Sequence, residues 1–348
     1  MTRDLATTGV ATWQDPVWRD ATLQWATDRL AERGIALDGD PEQSHVRAWS
    51  TAFRLPVSGG AVWLKSVGPG SAQEPVLVAA LGEWVPDHVL VPLAVDRARR
   101  LMLLPDGGAT LRTAGGAASA AAWEEMLRDY AVLQVELVPR ADDMVALGVP
   151  DLRPERLPDL AAKFLADDAW LMTDRPGGLA AAQRARLLAG LGRYRELCGR
   201  LADGGVPASL QHDDLHDANV FVADGRYRFF DWGDASVAHP FLSLLVPLRV
   251  AARALDVPPG DAVLRRLRDA YLDVWSGYGS PAELREQADT ALRVAPLPRA
   301  MTWRRILRGV HPDERTEWRD AVPGWAAEYL EPGILTAPDP AATGRPGD

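Results

Sequence analysis

The hydrophobic pattern divides the chain into a strand-rich first part and a mainly helical second part. Before residue 105, short runs rich in Val, Trp, Phe and Leu predict strands, and the Ser58-Gly59-Gly60 turn predicts that the first two pair as a hairpin. The predicted strands cover Val46–Val57, Ala61–Val67, Val89–Val95 and Leu101–Leu104. Helical spacing of apolar residues predicts two further elements in this part, Pro16–Gly34 and Ser71–Leu81.

The pattern changes after the Pro105-Asp106-Gly107-Gly108 stretch. From there, apolar residues recur mostly at spacings of three and four, which indicates amphipathic helices. The predicted helices are Ser119–Leu137, Leu179–Leu201, Leu242–Leu255, Asp261–Trp275, Pro281–Val294 and Trp318–Tyr329. One segment interrupts them, because Val220–Ala223 and Tyr227–Phe230 flank Asp224-Gly225 and so predict a β-hairpin. The tail, residues 336–348, is rich in Pro, Gly and Ala and is expected to be disordered.

Composition excludes several classes of protein. With 348 residues, 47% of them apolar and 25% charged, the chain is long and apolar enough for a sizeable core. Its formal net charge of −10 argues against nucleic acid and against an anionic membrane as partners. We expect neither a signal peptide nor a membrane span, since no long apolar run occurs. The single cysteine, Cys198, fits a reducing compartment, so we expect a cytoplasmic protein; the oligomeric state stays open.

Lysine is nearly absent from the chain. Of 38 basic residues only Lys65 and Lys163 are lysine, and the other 36 are arginine. A compositional bias of this kind replaces lysine wherever either side chain serves, but a compact ammonium and a planar guanidinium are not interchangeable at every site. The two remaining lysines are therefore worth inspecting for chemistry that needs an ammonium group.

The most informative stretch is Gln211–Pro240. Five of its ionisable residues fall within six positions, and they are His212, Asp213, Asp214, His216 and Asp217. The predicted hairpin folds the chain back, so Asp231 is expected to approach Asp214 and Asn219. The oxygen ligands of Asn219 and Asp231 suit Mg²⁺, which takes few protein ligands together with phosphate oxygens. Asp214 would then remain free to orient a hydroxyl and to accept its proton.

These residues resemble a family of small-molecule kinases. Asp214 and Asn219 have the D-x-x-x-x-N spacing of a kinase catalytic loop, His212 precedes the Asp by two, and Asp231-Trp232-Gly233 stands where D-F-G would be. The H-x-D-L-H-x-x-N pattern followed by D-W resembles the aminoglycoside phosphotransferase and choline kinase branch. The resemblance implies a bilobal, protein-kinase-like α+β fold. Residues 1–104 would form the N-terminal lobe, and residues 105–335 the helical lobe with the catalytic loop.

The resemblance also implies a nucleotide site in the first lobe. Lys65, in Ala61-Val-Trp-Leu-Lys65, resembles the strand lysine that contacts nucleotide phosphates. Glu74 would pair with it, with Glu83 as the other option. Although no G-x-G-x-x-G precedes Lys65, Ala48–Thr51 would be the phosphate loop, with Ser50 and Thr51 on the phosphates. Leu104 would lie beside the adenine.

The acceptor side is less defined. His216, Asp234 and Trp303 are candidate substrate residues, by their position after the motifs or in the helical C-terminal part. The sequence departs from the family pattern where Asp213 replaces the Gly of H-G-D and where Ala238-His239-Pro240 replaces G-D-P. An acidic chain with an acid-rich loop favours a cationic substrate.

The leading hypothesis is therefore a Mg²⁺-dependent phosphotransferase that moves the γ-phosphate of ATP or GTP to a hydroxyl of a small molecule, such as an aminoglycoside, an amino sugar or a similar metabolite. His212 and Asp214 would be its catalytic residues. Two alternatives stay open. A metallohydrolase could use His212, Asp214 and His216 as metal ligands. A catalytically silent relative could bind nucleotide without an acceptor.

Overall fold

The structure is a computed structural model that describes residues 6–223 and 225–336. The predicted disordered tail lies outside the described residues except for Thr336, and so does Asp224 of the predicted hairpin turn. The strands are β1 (Glu42–Arg47), β2 (Ser50–Val57), β3 (Gly60–Val67), β4 (Ala94–Asp96), β5 (Leu101–Pro105), β6 (Asp151–Leu152), β7 (Ser209–Gln211), β8 (Val220–Ala223), β9 (Arg226–Phe229) and β10 (Ser236–Ala238).

The helices lie mostly in the second part of the chain. They are α1 (Val10–Gln14), α2 (Pro16–Ala31), α3 (Glu74–Trp84), α4 (Ala120–Leu137), α5 (Ala141–Ala146), α6 (Leu157–Ala166), α7 (Asp168–Leu171), α8 (Ala181–Ala189), α9 (Leu191–Asp203), α10 (Leu245–Ala254), α11 (Ala262–Asp273), α12 (Pro281–Val294), α13 (Pro296–Arg308) and α14 (Ala321–Glu328). Among the described residues, none of these helices has the length and apolar character that crossing a membrane requires.

The first part is built on an antiparallel sheet of five strands in the order β1-β2-β3-β5-β4. Alternate residues of each strand point to opposite faces of a sheet. On the outer face, Phe53, Leu64 and Leu103 bury against Ala26 and Leu30 of α2. The inner face, which carries Lys65, is therefore turned away from α2 and towards the rest of the molecule.

The second part packs its helices around a buried aromatic and aliphatic core. The side chains of Trp123 and Tyr130 on α4 are fully buried, and Tyr130 contacts Phe229 edge to face with ring centroids 5.1 Å apart. Two small sheets lie against this core, β6-β10-β7 and the hairpin β8-β9. Ala223 pairs with Arg226 across a two-residue loop, so Gly225 takes φ +72° there, as a tight hairpin requires. These small sheets bracket the residues 212–219 that the sequence analysis marks as the catalytic loop.

The predicted elements agree with the structure in type and differ in their limits. A turn at Ala48–Trp49 divides the predicted strand Val46–Val57 into β1 and β2. Gly190 separates the single predicted helix Leu179–Leu201 into α8 and α9, because glycine weakens a helix interior. The spacing of apolar residues along the chain indicates neither the turn nor the helix break.

Helix α13 has no counterpart among the predicted elements. Its first turn contains Pro296 and Pro298, which obscure a helical pattern in sequence. Proline is tolerated in the first turn, however, where the missing N–H has no helical partner. The helix packs against α14 and against the turn Pro69–Ser71 that precedes α3. It therefore links the helical part to the Lys65 side of the molecule.

A buried histidine near this core predicts acid sensitivity. Burial lowers the pKa of His239 from 6.5 to about 4, although its hydrogen bond to Gln287 opposes the shift. Between these two pH values the unfolded chain binds a proton that the folded chain does not. The contribution of His239 to the free energy of unfolding should therefore fall as pH drops from 6.5 to 4, by about 3 kcal/mol at about 1.4 kcal/mol per unit, and it is read from the difference between the wild type and a variant without this histidine.

This is measured by denaturant unfolding at pH 7 and pH 4.5 of the wild type and of His239→Asn, which keeps an acceptor for the Phe241 N–H. His311→Asn, at a largely exposed histidine, is the matched control. An equal loss of stability in wild type and His239→Asn would contradict the assignment.

Candidate active site

The loop between β7 and β8 is anchored by the buried side chain of His212. The side chain is fully buried, Nδ1 accepts the N–H of Asp214 at 3.3 Å, and Nε2 lies 2.8 Å from the carbonyl oxygen of Phe230. Because Nδ1 is an acceptor, Nε2 carries the hydrogen and donates it to Phe230. Burial lowers the pKa of His212, which keeps the ring neutral. With both nitrogens bonded to backbone, His212 ties the loop to the end of β9.

The backbone at two aspartates adopts the left-handed conformation. Asp213 has φ +65° and Asp231 has φ +66°, a region that non-glycine residues rarely occupy. At Asp213 this explains why glycine occurs there in the family that the motif resembles. Strain of about 1–3 kcal/mol of this kind persists where surrounding contacts hold it and is concentrated at functional sites. Asp213 directly precedes Asp214, and Asp231 is itself one of the predicted metal ligands.

Asp214 is partly exposed, and one of its carboxylate oxygens is paired with an arginine. A third of its side chain is exposed, Oδ1 accepts Nη2 of Arg299 at 2.6 Å, and Oδ2 lies 3.6 Å from Nε2 of His216. Nδ1 of His216 accepts the N–H of Ala218 at 3.1 Å, so Nε2 carries the hydrogen that faces Asp214. Burial acts to raise the pKa of Asp214, but Arg299 and His216 outweigh it and hold this pKa well below its usual range. The carboxylate is therefore ionised at neutral pH.

Lys65 connects the sheet to the loop that follows β9. Its Nζ lies 2.6 Å from Oε1 of Glu74 on α3 and 2.6 Å from Oδ1 of Asp231. Burial acts to lower the pKa of Lys65, but Asp231 and Glu74 outweigh it and raise that pKa, so the ammonium stays charged. The structure thus brings Glu74 to Lys65, whereas Glu83 is exposed on the same helix.

Glu74 is more deeply buried than its partner. Burial raises the pKa of Glu74 to about 7, with Lys65 opposing the shift and Asp231 adding to it. Its second oxygen, Oε2, is buried and has no hydrogen-bond partner among the described residues. Lys65, whose Nζ lies 2.6 Å from Oε1, is therefore the ion-pair partner that compensates the charge of this buried carboxylate.

The side-chain oxygens of Asn219 and Asp231 fit a hard cation. Nδ2 of Asn219 donates to the carbonyl oxygen of Asp214 at 3.0 Å, which leaves Oδ1 as the side-chain oxygen for a ligand. Asp231 uses Oδ1 on Lys65, and about half of its side chain is exposed, so Oδ2 remains available. Burial acts to raise the pKa of Asp231, but Lys65 outweighs it and lowers this pKa. Oxygen-only donors of this kind match Mg²⁺.

Ser50 and Thr51, both predicted to contact the nucleotide, lie on opposite faces of the sheet. Ser50 and Ala52 alternate with Thr51 on β2, and Ala52 pairs with Lys65, so Ser50 lies on the Lys65 face and Thr51 on the opposite one. The Thr51 hydroxyl donates to the carbonyl oxygen of His45 at 2.8 Å. The structure therefore does not bring Thr51 to the cleft, because strand periodicity turns it away.

Leu104 lies on the cleft face of the sheet. It pairs with Trp63, two residues before Lys65, so the side chains of Leu104 and Lys65 share a face. His45 shares that face as well, since it pairs with Ala52 across from Lys65. The charges of Asp231 and Lys65 both act on the His45 ring, whose pKa is lowered first of all by burial. His45 matches no motif, and only the strand register places it on this face.

On the other side of Asp214 the structure gathers Asp234 and Trp303 around one arginine, whereas His216 lies against Asp214 itself. Nη1 of Arg299 lies 2.6 Å from Oδ2 of Asp234, and its guanidinium lies over the ring of Trp303, 5.6 Å from the ring centroid. Trp303 in turn contacts Trp49 of the β1–β2 turn, with ring centroids 5.8 Å apart. Sequence reasoning missed Arg299 because it lies on the unpredicted helix α13 and is one of 36 arginines.

The geometry does not favour a metallohydrolase. Both ring nitrogens of His212 are bonded to backbone groups, so this ring has no lone pair for a metal. Within residues 6–223 and 225–336, no group of three or more His, Cys, Asp or Glu side chains is arranged to hold a metal ion. The cluster of His212, Asp214 and His216 is therefore a hydrogen-bonded loop.

Comparison with known proteins shows the fold. The sequence matches no family model and no curated protein. The structure is similar to that of macrolide 2′-phosphotransferase type I, with a TM-score of 0.54, 15% identity and coverage of 92% of this chain and 98% of the other. It is also similar to a choline/ethanolamine kinase family protein from Mesorhizobium loti (TM-score 0.55, 18% identity, coverage 90% and 96%).

A third similar structure is the choline kinase LicA from Streptococcus pneumoniae, with a TM-score of 0.53, 13% identity and coverage of 89% of this chain and 100% of the other. All three comparisons extend over most of both chains. The protein therefore has the protein-kinase-like fold of small-molecule phosphotransferases and choline kinases, and the predicted bilobal α+β fold is confirmed.

Proposed function

We propose that the protein is a Mg²⁺-dependent phosphotransferase, which moves the γ-phosphate of a nucleoside triphosphate to a hydroxyl group of a small molecule. The observation that carries the proposal is the bridge from Glu74 through Lys65 to Asp231. It joins a strand lysine, a helix glutamate nine residues later and the aspartate of the D-W-G motif, which lies 166 residues from the lysine. Phosphoryl transfer needs such a set, since its catalysis is mostly positioning and charge stabilisation.

The nucleotide side of the proposal rests on the inner face of the five-stranded sheet. Lys65 would contact the phosphates, and Glu74 would hold the ammonium in place. Ser50 and Leu104 share the Lys65 face, so the hydroxyl of Ser50 and the apolar side chain of Leu104 support roles beside the phosphates and the base. ATP and GTP are both compatible with these groups. The N-terminal lobe, residues 1–104, is proposed as the nucleotide-binding unit.

Asn219 and Asp231 are the residues that would hold Mg²⁺. When bound, the ion neutralises phosphate charge during transfer. Asp231 is already placed against Lys65, so the carboxylate and the ammonium converge on the same phosphate region. Asn219 donates a hydrogen bond to the backbone carbonyl of Asp214. This bond holds the proposed Mg²⁺ ligand at a fixed position relative to Asp214.

Asp214 would act on the acceptor. Its Oδ2 is the oxygen left free by Arg299 and is the group that would accept a hydrogen bond from the substrate hydroxyl. An ionised carboxylate with a low pKa is a weak base, so its main contribution is alignment, with the proton moving to it as the phosphate bond forms. His212 was predicted as catalytic, but we propose that it is a positioning residue, because its ring holds the backbone of Asp214.

The proposal is tested by a screen for nucleotide consumption. Hydroxylated metabolites, amino sugars and aminoglycosides are incubated with Mg²⁺ and either ATP or GTP, and release of nucleoside diphosphate is coupled to NADH oxidation. We expect acceptor-dependent nucleotide consumption that disappears with EDTA and is absent from the Asp214→Ala variant, which serves as the blank. Nucleotide binding without nucleotide consumption in the presence of any acceptor would favour a silent relative.

A cytoplasmic location stays an expectation from the single cysteine.

A further inference from the structure

Arg299 is a buried cation that contacts three carboxylates at the acceptor side of the loop. It is 3% exposed, with Nη2 at 2.6 Å from Asp214, Nη1 at 2.6 Å from Asp234 and Nη1 at 3.7 Å from Asp213. These partners come from two different segments, the catalytic loop and the turn after β9. A planar guanidinium can bond two carboxylates at once through its fork of donors, which an ammonium cannot do with the same geometry.

Two indole rings flank the same guanidinium. Its central carbon lies 5.6 Å from the ring centroid of Trp303 and 5.7 Å from that of Trp325. The faces of tryptophan rings attract cations through the quadrupole of the ring, within about 6 Å of the centroid. Arg299 therefore sits in a cage of carboxylates and aromatic faces, and the chain itself supplies the cation that fills it.

The cage contains the two kinds of group that recognise an ammonium ligand. Arg299 takes one oxygen of Asp214 and one of Asp234, as well as the inner faces of both indoles. A second cation placed at Asp214 would lie beside the buried guanidinium and be repelled by it. The expectation of a cationic substrate, drawn from the acid-rich loop, counted these carboxylates as free, whereas the tertiary structure pairs them.

We propose that Arg299 is a built-in counter-cation that positions Asp214 and directs the site to uncharged hydroxyl compounds in place of ammonium-bearing ones. This inference rests on the proposed phosphotransfer for its substrate class. Arg299 itself is a positioning residue, since it acts through Asp214. The Oδ2 of Asp214, which Arg299 does not occupy and which lies 3.6 Å from Nε2 of His216, is the contact for the acceptor hydroxyl, and the guanidinium holds the carboxylate in this orientation.

The first arm of the test compares acceptors that differ by one amine. Matched pairs are glucose with glucosamine and propane-1,2-diol with 1-aminopropan-2-ol, assayed for kcat and KM at saturating nucleotide. We expect the wild type to use the uncharged member of each pair with a kcat/KM about 10-fold higher or more. A wild type that prefers the amine-bearing members would overturn the substrate class while leaving the phosphotransferase function in place.

The second arm removes the internal cation. In Arg299→Ala we expect kcat with uncharged acceptors to fall about 100-fold with an unchanged KM for nucleotide, because Asp214 loses its orientation. Millimolar guanidinium should restore part of this kcat, and Arg299→Lys should retain part of it. Arg304→Ala, on the same helix but paired with Asp167, is the matched control. It should keep its kcat and should not be activated by guanidinium. No loss of kcat in Arg299→Ala would refute the positioning role.

The third arm needs no turnover and separates the two proposals. Tetramethylammonium and guanidinium are titrated into each variant while tryptophan fluorescence and thermal stability are followed. We expect Arg299→Ala to bind both cations at the vacated cage, with a fluorescence change from Trp303 and Trp325, and the wild type to bind neither. If the single variant does not fold, Arg299→Gln combined with Asp234→Asn preserves the charge balance, and it should bind both cations, which the wild type does not bind.

The outcomes of the three arms can be told apart. Cation binding to the variant without turnover of any acceptor by the wild type would support the internal cation and count against the phosphotransferase. Turnover by the wild type, with equal cation binding by wild type and Arg299→Ala, would support the phosphotransferase and overturn the role of Arg299.

Discussion

Replacing Asp214 with alanine should reduce turnover at least about 1,000-fold while nucleotide affinity stays within about twofold of the wild type. The carboxylate offers Oδ2 to the acceptor hydroxyl, and it is partly exposed, whereas Asp213 and Asp217 on the same loop are buried. A positioned proton acceptor contributes about 100- to 10,000-fold to a rate. The nucleotide contacts lie on the sheet, so they should survive.

The measurement is steady-state turnover with the best acceptor from the screen, together with nucleotide affinity by isothermal titration. Asp214→Asn keeps the size of the side chain and one oxygen, so it shows whether the charge or the shape is needed. Asp203→Ala, at an exposed position at the end of α9, is the control for the loss of one negative charge away from the site. Turnover of Asp214→Ala within 10-fold of the wild type would remove Asp214 from the mechanism.

The second large effect is expected at Lys65. Lys65→Met should lower kcat/KM for the nucleotide about 100- to 1,000-fold, which is the range for losing one preorganised electrostatic contact in a catalytic site. Lys65→Arg should also be impaired, because the guanidinium is larger and cannot occupy the position 2.6 Å from both Glu74 and Asp231 as a point charge. Lys163→Met is the natural control, since it is the other lysine and is exposed on α6.

Lys65→Met should also destabilise the protein, by about 3 kcal/mol, because removing one partner leaves the buried Glu74 carboxylate uncompensated. The double change Lys65→Met with Glu74→Gln should recover much of this stability but none of the turnover. Urea unfolding and kinetics on the same preparations separate the two effects. If the double variant regained turnover, the loss in Lys65→Met would be one of folding, and Lys65 would have no role at the phosphates.

The residues of the loop and the sheet illustrate what local sequence could predict. The D-x-x-x-x-N spacing, the D-W-G motif and a lysine in an apolar strand are local patterns, and the structure brings their members, Asp214, Asn219, Asp231 and Lys65, to one cleft. Thr51 shows the limit of such patterns. It is adjacent to Ser50 in sequence, but alternation along β2 places the two side chains on opposite faces, and the loop was predicted two residues too long.

Arg299 and His45 could not have been found in the same way. Arg299 is 85 residues from its partner Asp214, on a helix whose two early prolines hide its periodicity. His45 reaches the cleft only through the pairing of β1 with β2, across a register irregularity between Gln43 and His45. Neither contact follows from spacing along the chain, because long-range ion pairs depend on how helices and strands pack.

By itself, the sequence determined the fold class, the order of the strand-rich and helical parts, and the residue types of the loop from which its chemistry is proposed, since hydrophobic periodicity and motif spacing are local properties of a chain. Only the tertiary structure decided which carboxylates are free. Asp214 and Asp234 read as open acids in sequence, but the packing of α13 places Arg299 between them and flanks it with two indoles. Charge pairing across 65 and 85 residues is set by packing geometry, and for this protein it changes the substrate that we propose from a cationic to an uncharged hydroxyl compound.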